Sequence, residues 1–456
     1  MRDFTEMYYA VGRKYKMDIK WYQIGWPMIK KGLIPFLICS CIILGTINNM
    51  FTLLSLAACA VFMAMCNEEE YVPFLFFILP FAPIFKLSGG GTSCFTYVTI
   101  LYVCLYFVRT NWKMNEGDAF VLIIVLYVIA CECISQTVNV VRTVKFANNL
   151  LLIAIFTNID NQKWHRSIFI SYILGFIISG MLSAFASNFL PISDYVTTKV
   201  EFFPGGTSIE RFAGLYNDPN YFSINVIISL CLITNMLRRN EISSIAALSF
   251  SLILIYFAAK TGSKSALLML AFPAIICIWN SIRDKRVGMI VFFSAAIITG
   301  IYLVQNGHIT IFSNTLNRLE SGKSGGIERI TSGRYDIWKS FVDYFERFPF
   351  KTLIGNGVGV LYLDGRASHN TYIDFIYQLG IVGTGLYCYI ISRYLKKSKI
   401  VLRRNINNYA VTMCIVVMYA FLSQLQEFDL PFQITLAIMT LNTSNQRERI
   451  RKDLAY

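Results

Sequence analysis

Charged residues are scarce in this sequence. Asp, Glu, Lys and Arg make up only 15% of its 456 residues, whereas an average soluble chain carries about 25%. Hydrophobic residues make up 55% of the chain, and they occur in runs of about 16 to 22 residues, the length of a helix that crosses a hydrocarbon core of about 30 Å. The composition excludes an ordinary soluble domain and predicts a membrane protein.

The apolar runs also lack the alternation of polar and apolar residues that the strands of a membrane barrel require. Because helices and closed barrels are the structures that satisfy their backbone in lipid, we predict an all-α polytopic membrane protein with about fourteen (12–14) spans. The predicted spans are 33–47, 50–66, 71–87, 95–109, 119–137, 141–157, 167–188, 221–237, 242–259, 264–282, 287–304, 369–392, 409–427 and 430–443.

Metal-binding and nucleophile motifs are missing as well. The 12 Cys residues form no CxxC pair and most lie in apolar runs, so we predict buried thiols without disulfides. A DxD motif and His or carboxylate clusters are absent from the predicted outer segments, and we predict neither a metal nor another cofactor. No GxSxG elbow is present. The sequence KTLIGNGVGV lacks a P-loop lysine and predicts a tight structural turn.

Basic residues are concentrated in alternate connections between the apolar runs, as the positive-inside rule requires for cytosolic loops. The net charge of +14 therefore reflects topology and does not indicate nucleic acid. The N-terminus is too polar before its first apolar run for a cleavable signal peptide, and both termini are predicted to be cytosolic. The predicted organisation is a cytosolic arm (1–32), N-terminal membrane helices (33–188), a first outer loop (189–220), central membrane helices (221–304), a large outer loop (305–368), C-terminal membrane helices (369–443) and a cytosolic tail (444–456).

The large outer loop contains apolar residues at helical spacing in SGRYDIWKSFVDYFERFPF. This spacing predicts an amphipathic helix that lies either on the membrane or on the helix bundle, within a largely helical extracytoplasmic lobe. The residues of its apolar face are Ile337, Trp338, Phe341, Val342, Phe345 and Phe348.

Three predicted helices that run inwards begin with suggestive sequences at the outer face: NDPNYFS, which follows Arg211, then KTGSKSALL, then RASHNTY. Helix starts present free N–H groups and partial positive charge, which favour phosphate, so together they predict a diphosphate site. Taken singly, each has an ordinary explanation as a helix cap, as snorkelling lysines or as a hydrogen-bonded histidine. The candidate binding residues at these starts are Asp218, Asn220, Lys260, Lys264, Arg366 and Asn370.

The candidate catalytic residues are His369, Arg211 and Arg334. A guanidinium can hold phosphate oxygens through two parallel hydrogen bonds, although Arg334 could instead form an ordinary ion pair. Histidine, with a reference pKa of about 6.5, suits proton transfer near neutral pH. Of the three histidines, His369 is the best candidate, because His165 lies on the predicted cytosolic side and His308 has no other candidate group beside it.

Four motifs occur in order: RFAGLYNDPNYFS, TGSKSALL, SGRYDIW with LIGNGVG, and SHNTYIDFIYQLGIVG. Over roughly residues 200 to 395, the chain resembles the O-antigen ligase and Wzy-type polysaccharide polymerase family. The resemblance implies a metal-independent, GT-C-like glycosyltransferase in which Arg211 and Arg334 engage a lipid diphosphate and His369 acts at the acceptor hydroxyl. The chain departs from the pattern at Ser263-Lys264, where relatives often have Ser-Arg and the bidentate fork is lost.

The predicted reaction is inverting transfer of a glycan from undecaprenyl diphosphate to a sugar hydroxyl at the outer face of the bacterial cytoplasmic membrane, which builds O-antigen, capsule or exopolysaccharide. The predicted partners are lipid-linked donor and acceptor, the bilayer, a flippase and a chain-length regulator. A polymerase is favoured over a ligase because the span count is generous and the large outer loop contains only one obvious amphipathic helix. The alternative is a lipid-linked oligosaccharide flippase or another transporter, which would carry charged residues midway along its helices. The predicted membrane cores are nearly free of charge, with Glu132 the clearest exception, and the cations cluster at one face.

Overall fold

The structure, a computed structural model, describes residues 32–87, 91–110, 116–158, 164–185, 187, 192, 198–202, 208–216, 218–283, 334–360, 362–397 and 429–440. Its helices are α1 (Ile34–Leu44), α2 (Asn49–Met65), α3 (Glu68–Ile78), α4 (Cys94–Arg109), α5 (Glu116–Ser135), α6 (Val140–Asn158), α7 (His165–Phe185), α8 (Pro219–Arg238), α9 (Ser244–Lys260), α10 (Lys264–Arg283), α11 (Arg334–Arg347), α12 (Pro349–Ile354), α13 (Thr371–Lys397) and α14 (Leu430–Thr440).

Four of the described helices are long and apolar enough to cross a membrane, and they correspond to Val140–Thr157, His165–Phe185, Pro219–Leu237 and Thr371–Tyr394. Shorter apolar helices include α1, α2, α4, α9 and α14. A helical membrane protein is therefore confirmed. The count of about fourteen spans stays a prediction, since the spans predicted at 287–304 and 409–427 lie outside the described residues.

The third predicted span, 71–87, is not one continuous helix. Helix α3 ends at Ile78, a single 3-10 turn covers Leu79–Phe81, and residues 85–87 have no helical structure. Pro80 and Pro83 explain the difference, because proline lacks an N–H donor and its ring clashes with the preceding turn of an α-helix.

The segment predicted to be the first outer loop contains a hairpin that the all-α prediction missed. Strands β1 (Thr198–Phe202) and β2 (Ser208–Phe212) pair antiparallel, with Lys199 opposite Arg211. The segments TKVEF and SIERF combine β-branched and aromatic residues and flank Pro-Gly-Gly, which is a hairpin signal. The all-α prediction is wrong for this segment.

Helix α14 joins the two halves of the bundle. The fully buried ring of Phe432 packs against Phe76, Phe95 and Phe156, with ring centroids 4.8, 5.5 and 5.4 Å away. Ile438 on the same helix belongs to a second apolar cluster, which α5, α6 and α13 build. A short helix therefore completes the cores on both sides.

A polar contact fixes which helix ends share one face of the bundle. His165, at the start of α7, places Nε2 3.0 Å from Glu241 Oε1, and Arg239 Nη2 lies 3.0 Å from the same oxygen. The start of α7 and the end of α8 are therefore neighbours. Because α8 crosses the bundle, its start at Pro219 lies towards the opposite face.

Candidate functional site

The first group of predicted site residues surrounds Arg211, which β2 carries. Its side chain is 5% exposed. Its Nε donates to the carbonyl of Thr261 (3.1 Å) and its Nη2 donates to Asn220 Oδ1 (3.2 Å). Two of the five guanidinium N–H bonds thus hold the hairpin against the end of α9, where Thr261 is the C-cap, and against the start of α8.

The starts of α8 and α10 are joined by Asn220. Asp218 is the N-cap of α8, as predicted, and accepts a hydrogen bond from the Asn220 N–H (2.7 Å). Ser263 donates through Oγ to Asn220 Oδ1 (2.8 Å) and accepts from the Ala266 N–H (3.2 Å) at the start of α10. The first two of the three predicted helix starts are therefore brought together.

The two lysines of the second motif occupy different environments. Lys260 ends α9, and its ammonium lies 5.3 Å from the ring centroid of Phe212 and 5.5 Å from that of Tyr256. Such cation–π contacts hold an ammonium group on an aromatic face. Lys264 is the first residue of α10 and is half-buried.

The second group of predicted residues lies at the start of α13. Asn370 caps this helix, because its Oδ1 accepts from the N–H groups of Tyr372 (3.0 Å) and Ile373 (3.4 Å). Ser368 is fully buried, accepts from the Asn370 N–H (2.9 Å), and donates through Oγ to Asp374 Oδ1 (2.6 Å).

His369 lies between these two fixed residues and is exposed. Its φ of +50° places it in the left-handed region, which non-glycine residues rarely adopt and which is enriched at functional sites. Arg366 is also exposed and closes a tight turn in which its N–H and carbonyl both bond to Leu363 (2.9 and 3.0 Å). These two hydrogen bonds between Leu363 and Arg366 fix the backbone that carries the Arg366 side chain.

Arg334 is the first residue of α11, and this helix packs beside the start of α13. The indole N–H of Trp338 donates to the carbonyl of Ser368 (2.8 Å), and the buried ring of Phe341 lies 5.1 Å from the ring of Tyr377. The predicted amphipathic helix is confirmed, and it packs on the bundle through Phe341.

Tyr344, on the same helix, donates its O–H to Asn356 Oδ1 (2.8 Å). Burial raises the pKa of the Tyr344 hydroxyl, and the hydrogen bond with Asn356 opposes that shift. A raised pKa keeps the hydroxyl protonated and able to donate.

The glycine-rich segment is a tight structural turn, as predicted. The Asn356 and Gly357 N–H groups donate to the carbonyls of Tyr377 (3.1 Å) and Gln378 (2.8 Å). These carbonyls precede a break in α13 at Gly380, whose φ of +68° and ψ of 178° are not helical. The turn therefore provides N–H donors for carbonyls that the break in α13 would otherwise leave without a helical partner.

Glu132 anchors this turn and was not predicted as a site residue. Its side chain is 2% exposed, its Oε1 accepts from the Gly359 N–H (3.0 Å), and its Oε2 accepts from Thr143 Oγ1 (2.8 Å). A lone acid inside an apolar run was the available signal. The Glu132 carboxylate therefore holds the glycine-rich turn against α5 and α6.

The described contacts thus form two groups of predicted residues. Arg211, Asn220 and Ser263 make one, and Trp338 links the helix of Arg334 to the Ser368–Asn370 segment in the other. These contacts do not connect the first group to the second, and the roles predicted for the residues stay predictions. Among the described residues, no cluster of three His, Cys, Asp or Glu side chains could hold a metal ion.

Comparison with known proteins gives a match to one family model. Residues 246–388 match the model Wzy_C, described as O-Antigen ligase. This stretch includes Lys260, Lys264, Arg334, Arg366 and His369, and it confirms the family resemblance over that part of the chain. Neither a curated protein nor a solved structure matches the chain. The apolar helices indicate a membrane protein, and residues 246–388 relate it to the family described as O-Antigen ligase.

Proposed function

From the match of residues 246–388 to the O-antigen ligase family model, we propose that this protein is a glycosyltransferase that polymerises undecaprenyl-diphosphate-linked repeat units into a surface polysaccharide. The reaction takes place at the outer face of the bacterial cytoplasmic membrane. In this proposal the chain has about fourteen spans in a GT-C-like arrangement, and both termini are cytosolic.

The feature of the site that supports the proposal is the position of Arg211 beside the start of α8, which Ser263 joins to the start of α10 through Asn220. Helix starts and guanidinium groups both favour phosphate oxygens. Arg211, Arg334 and Lys264 would stabilise the charge that develops on the leaving diphosphate. Asp218, Asn220, Lys260, Arg366 and Asn370 would complete the binding site, either by contact or by orienting these cations.

The exposed His369 would receive the proton of the acceptor. The hydroxyl oxygen of the incoming sugar attacks the anomeric carbon, and the bond from that carbon to the diphosphate oxygen breaks, so the electron pair leaves with the diphosphate. The proton passes to the imidazole of His369, acting as general base. Displacement from the opposite side inverts the anomeric configuration, and no metal is used.

A ligase is the second candidate, because the matching family model is described as O-Antigen ligase. The two activities differ in the acceptor, which is another lipid-linked repeat unit for a polymerase and a different surface molecule for a ligase. Purified protein in vesicles with lipid-diphosphate repeat units separates them. A ladder of chain lengths supports the polymerase, a single transfer to a foreign acceptor supports the ligase, and lipid movement without bond formation contradicts both in favour of a flippase.

The His369→Ala variant tests the chemistry directly. Loss of a general base lowers the rate by about 10²–10⁴-fold, so we expect chain growth to be lost while the protein stays inserted and folded. His308→Ala, a histidine of the same predicted outer loop, is the matched control and should form polymer at the normal rate. Polymer of normal length and rate from His369→Ala would remove this residue from the mechanism.

A further inference from the structure

Residues 349–360, which comprise helix α12 and the glycine-rich turn, connect α11 to the loop before α13 and pack against α5. Its innermost contacts are at Ile354. The carbonyl of Ile354 lies 2.7 Å from the Tyr127 hydroxyl and 3.0 Å from Cys131 Sγ, both on α5. The same Tyr127 hydroxyl lies 3.0 Å from the carbonyl of Leu379 on α13.

The position of these partners along their helices gives the depth of Ile354. Helix α5 has 20 residues and is therefore about 30 Å long, which matches the thickness of a hydrocarbon core. Cys131 and Tyr127 lie about 6 and 12 Å below its end at Ser135, and Leu379 lies about 12 Å below the start of α13, at 1.5 Å per residue. Ile354 thus lies about 6–12 Å below the ends of these two helices.

The chain then returns to the face from which it came. Asn356 accepts through its carbonyl from Thr137 Oγ1 (2.6 Å), just beyond the end of α5, and Arg142 Nη1 donates to the carbonyl of Gly359. Non-helical backbone is tolerated at membrane depth where it is buried in protein. This condition is met, because the Asn356 and Gly357 N–H groups bond to carbonyls of α13.

The outer side of α12 is apolar and exposed. Phe350 is 62% exposed and Leu353 is 46% exposed. On α5, Leu126 and Ile129 are similarly exposed at 57% and 42%, as expected if this apolar helix faces lipid on that side. Exposed apolar side chains thus occur both on α12 and on α5, the helix that Ile354 contacts.

We propose that residues 349–360 form a re-entrant segment that enters the leaflet on the side of His369, turns at Ile354–Gly355, and contacts the acyl chains of the bilayer through Phe350 and Leu353. The segment thereby packs the outer part of α13 from within the membrane. This inference rests on the membrane embedding of α5 and α13 and is independent of the reaction proposed above.

Photocrosslinking in the full chain tests the segment. A benzophenone amino acid replaces Phe350 or Leu353 in separate variants, which are reconstituted in vesicles of phosphatidylethanolamine and phosphatidylglycerol, illuminated and analysed by mass spectrometry. We expect acyl-chain adducts at both positions, as at Leu126 on α5, which is predicted to span the membrane. The control is the same replacement at Tyr362, which is 54% exposed but lies in the turn before Arg366. We expect no acyl-chain adducts at this position.

Because Phe350 and Leu353 are tested independently, failure of one variant to fold leaves the other informative. Acyl-chain adducts at position 126 but not at 350 or 353 would overturn the proposal. Adducts between two copies of the chain at 350 or 353 would also overturn it, since they would show that protein rather than lipid covers α12.

Discussion

At the scale of a single residue, the side-chain oxygen of Asn220, a predicted substrate-binding residue, is already hydrogen-bonded within the protein. Its side-chain oxygen accepts from both Arg211 Nη2 and Ser263 Oγ, at 3.2 and 2.8 Å. An amide oxygen has two lone pairs, so these two donors occupy it. Asn220 is therefore best placed to orient the Arg211 guanidinium, and any direct contact with substrate would use its amide N–H bonds.

Glu132 provides a residue-scale prediction about stability. Glu132→Ala removes the acceptor of the Gly359 N–H, and leaving a buried donor unsatisfied costs about 1–3 kcal/mol. The Thr143 hydroxyl still has the Asn139 carbonyl as an acceptor, 3.0 Å away. Glu132→Gln keeps one acceptor oxygen, so we expect the thermal unfolding midpoint in detergent to fall in the order wild type, Gln, Ala. Glu69→Ala, at an exposed position, is the control. A midpoint for Glu132→Ala equal to that of Glu69→Ala would contradict the role given to this carboxylate.

At the scale of an element, the glycine-rich turn should be sensitive to an added side chain. Gly357 has a φ of +85°, and a Cβ there would collide with the side chain of Glu132. Gly357→Ala should therefore destabilise the protein by about 1–3 kcal/mol, lowering both the unfolding midpoint and the yield of monodisperse protein. In Gly385→Ala a new Cβ has no heavy atom within 4 Å, and we expect a neutral or slightly stabilising effect there. Equal midpoints for the two variants would show that the turn tolerates a side chain.

The elements that the sequence predicted well are those fixed by local chemistry. The start of α8 follows from Asp218 and Pro219, because a capping carboxylate and a first-turn proline act within a few residues. The break of α13 at Gly380 was not predicted, since the apolar pattern continues across it and the turn that stabilises it lies more than 20 residues upstream. The hydrogen bonds of Asn220 with Arg211 and Ser263 were not predicted individually, because convergence of distant segments leaves no periodic signal.

At the scale of the whole molecule, two clusters of polar residues lie at opposite ends of α8. His165, Arg239 and Glu241 join the start of α7 to the end of α8 at one face. Arg211, Asn220 and Ser263 join the starts of α8 and α10, at the other end of helices long enough to span a membrane. A substrate that reaches the Arg211 group must therefore approach from the face opposite His165.

The orientation of the bundle is the prediction on which the proposed reaction most depends. Short basic loops remain in the cytosol, so the Arg238–Glu241 connection should be cytosolic and the loop of residues 189–220 should lie outside. Epitope tags inserted after Asn240 or after Ser193 in the full chain test this in spheroplasts. We expect antibody to bind intact spheroplasts only with the tag after Ser193, and to reach the tag after Asn240 only once the membrane is permeabilised. The reverse pattern would place Arg211 in the cytosol, where it could not serve transfer at the outer face.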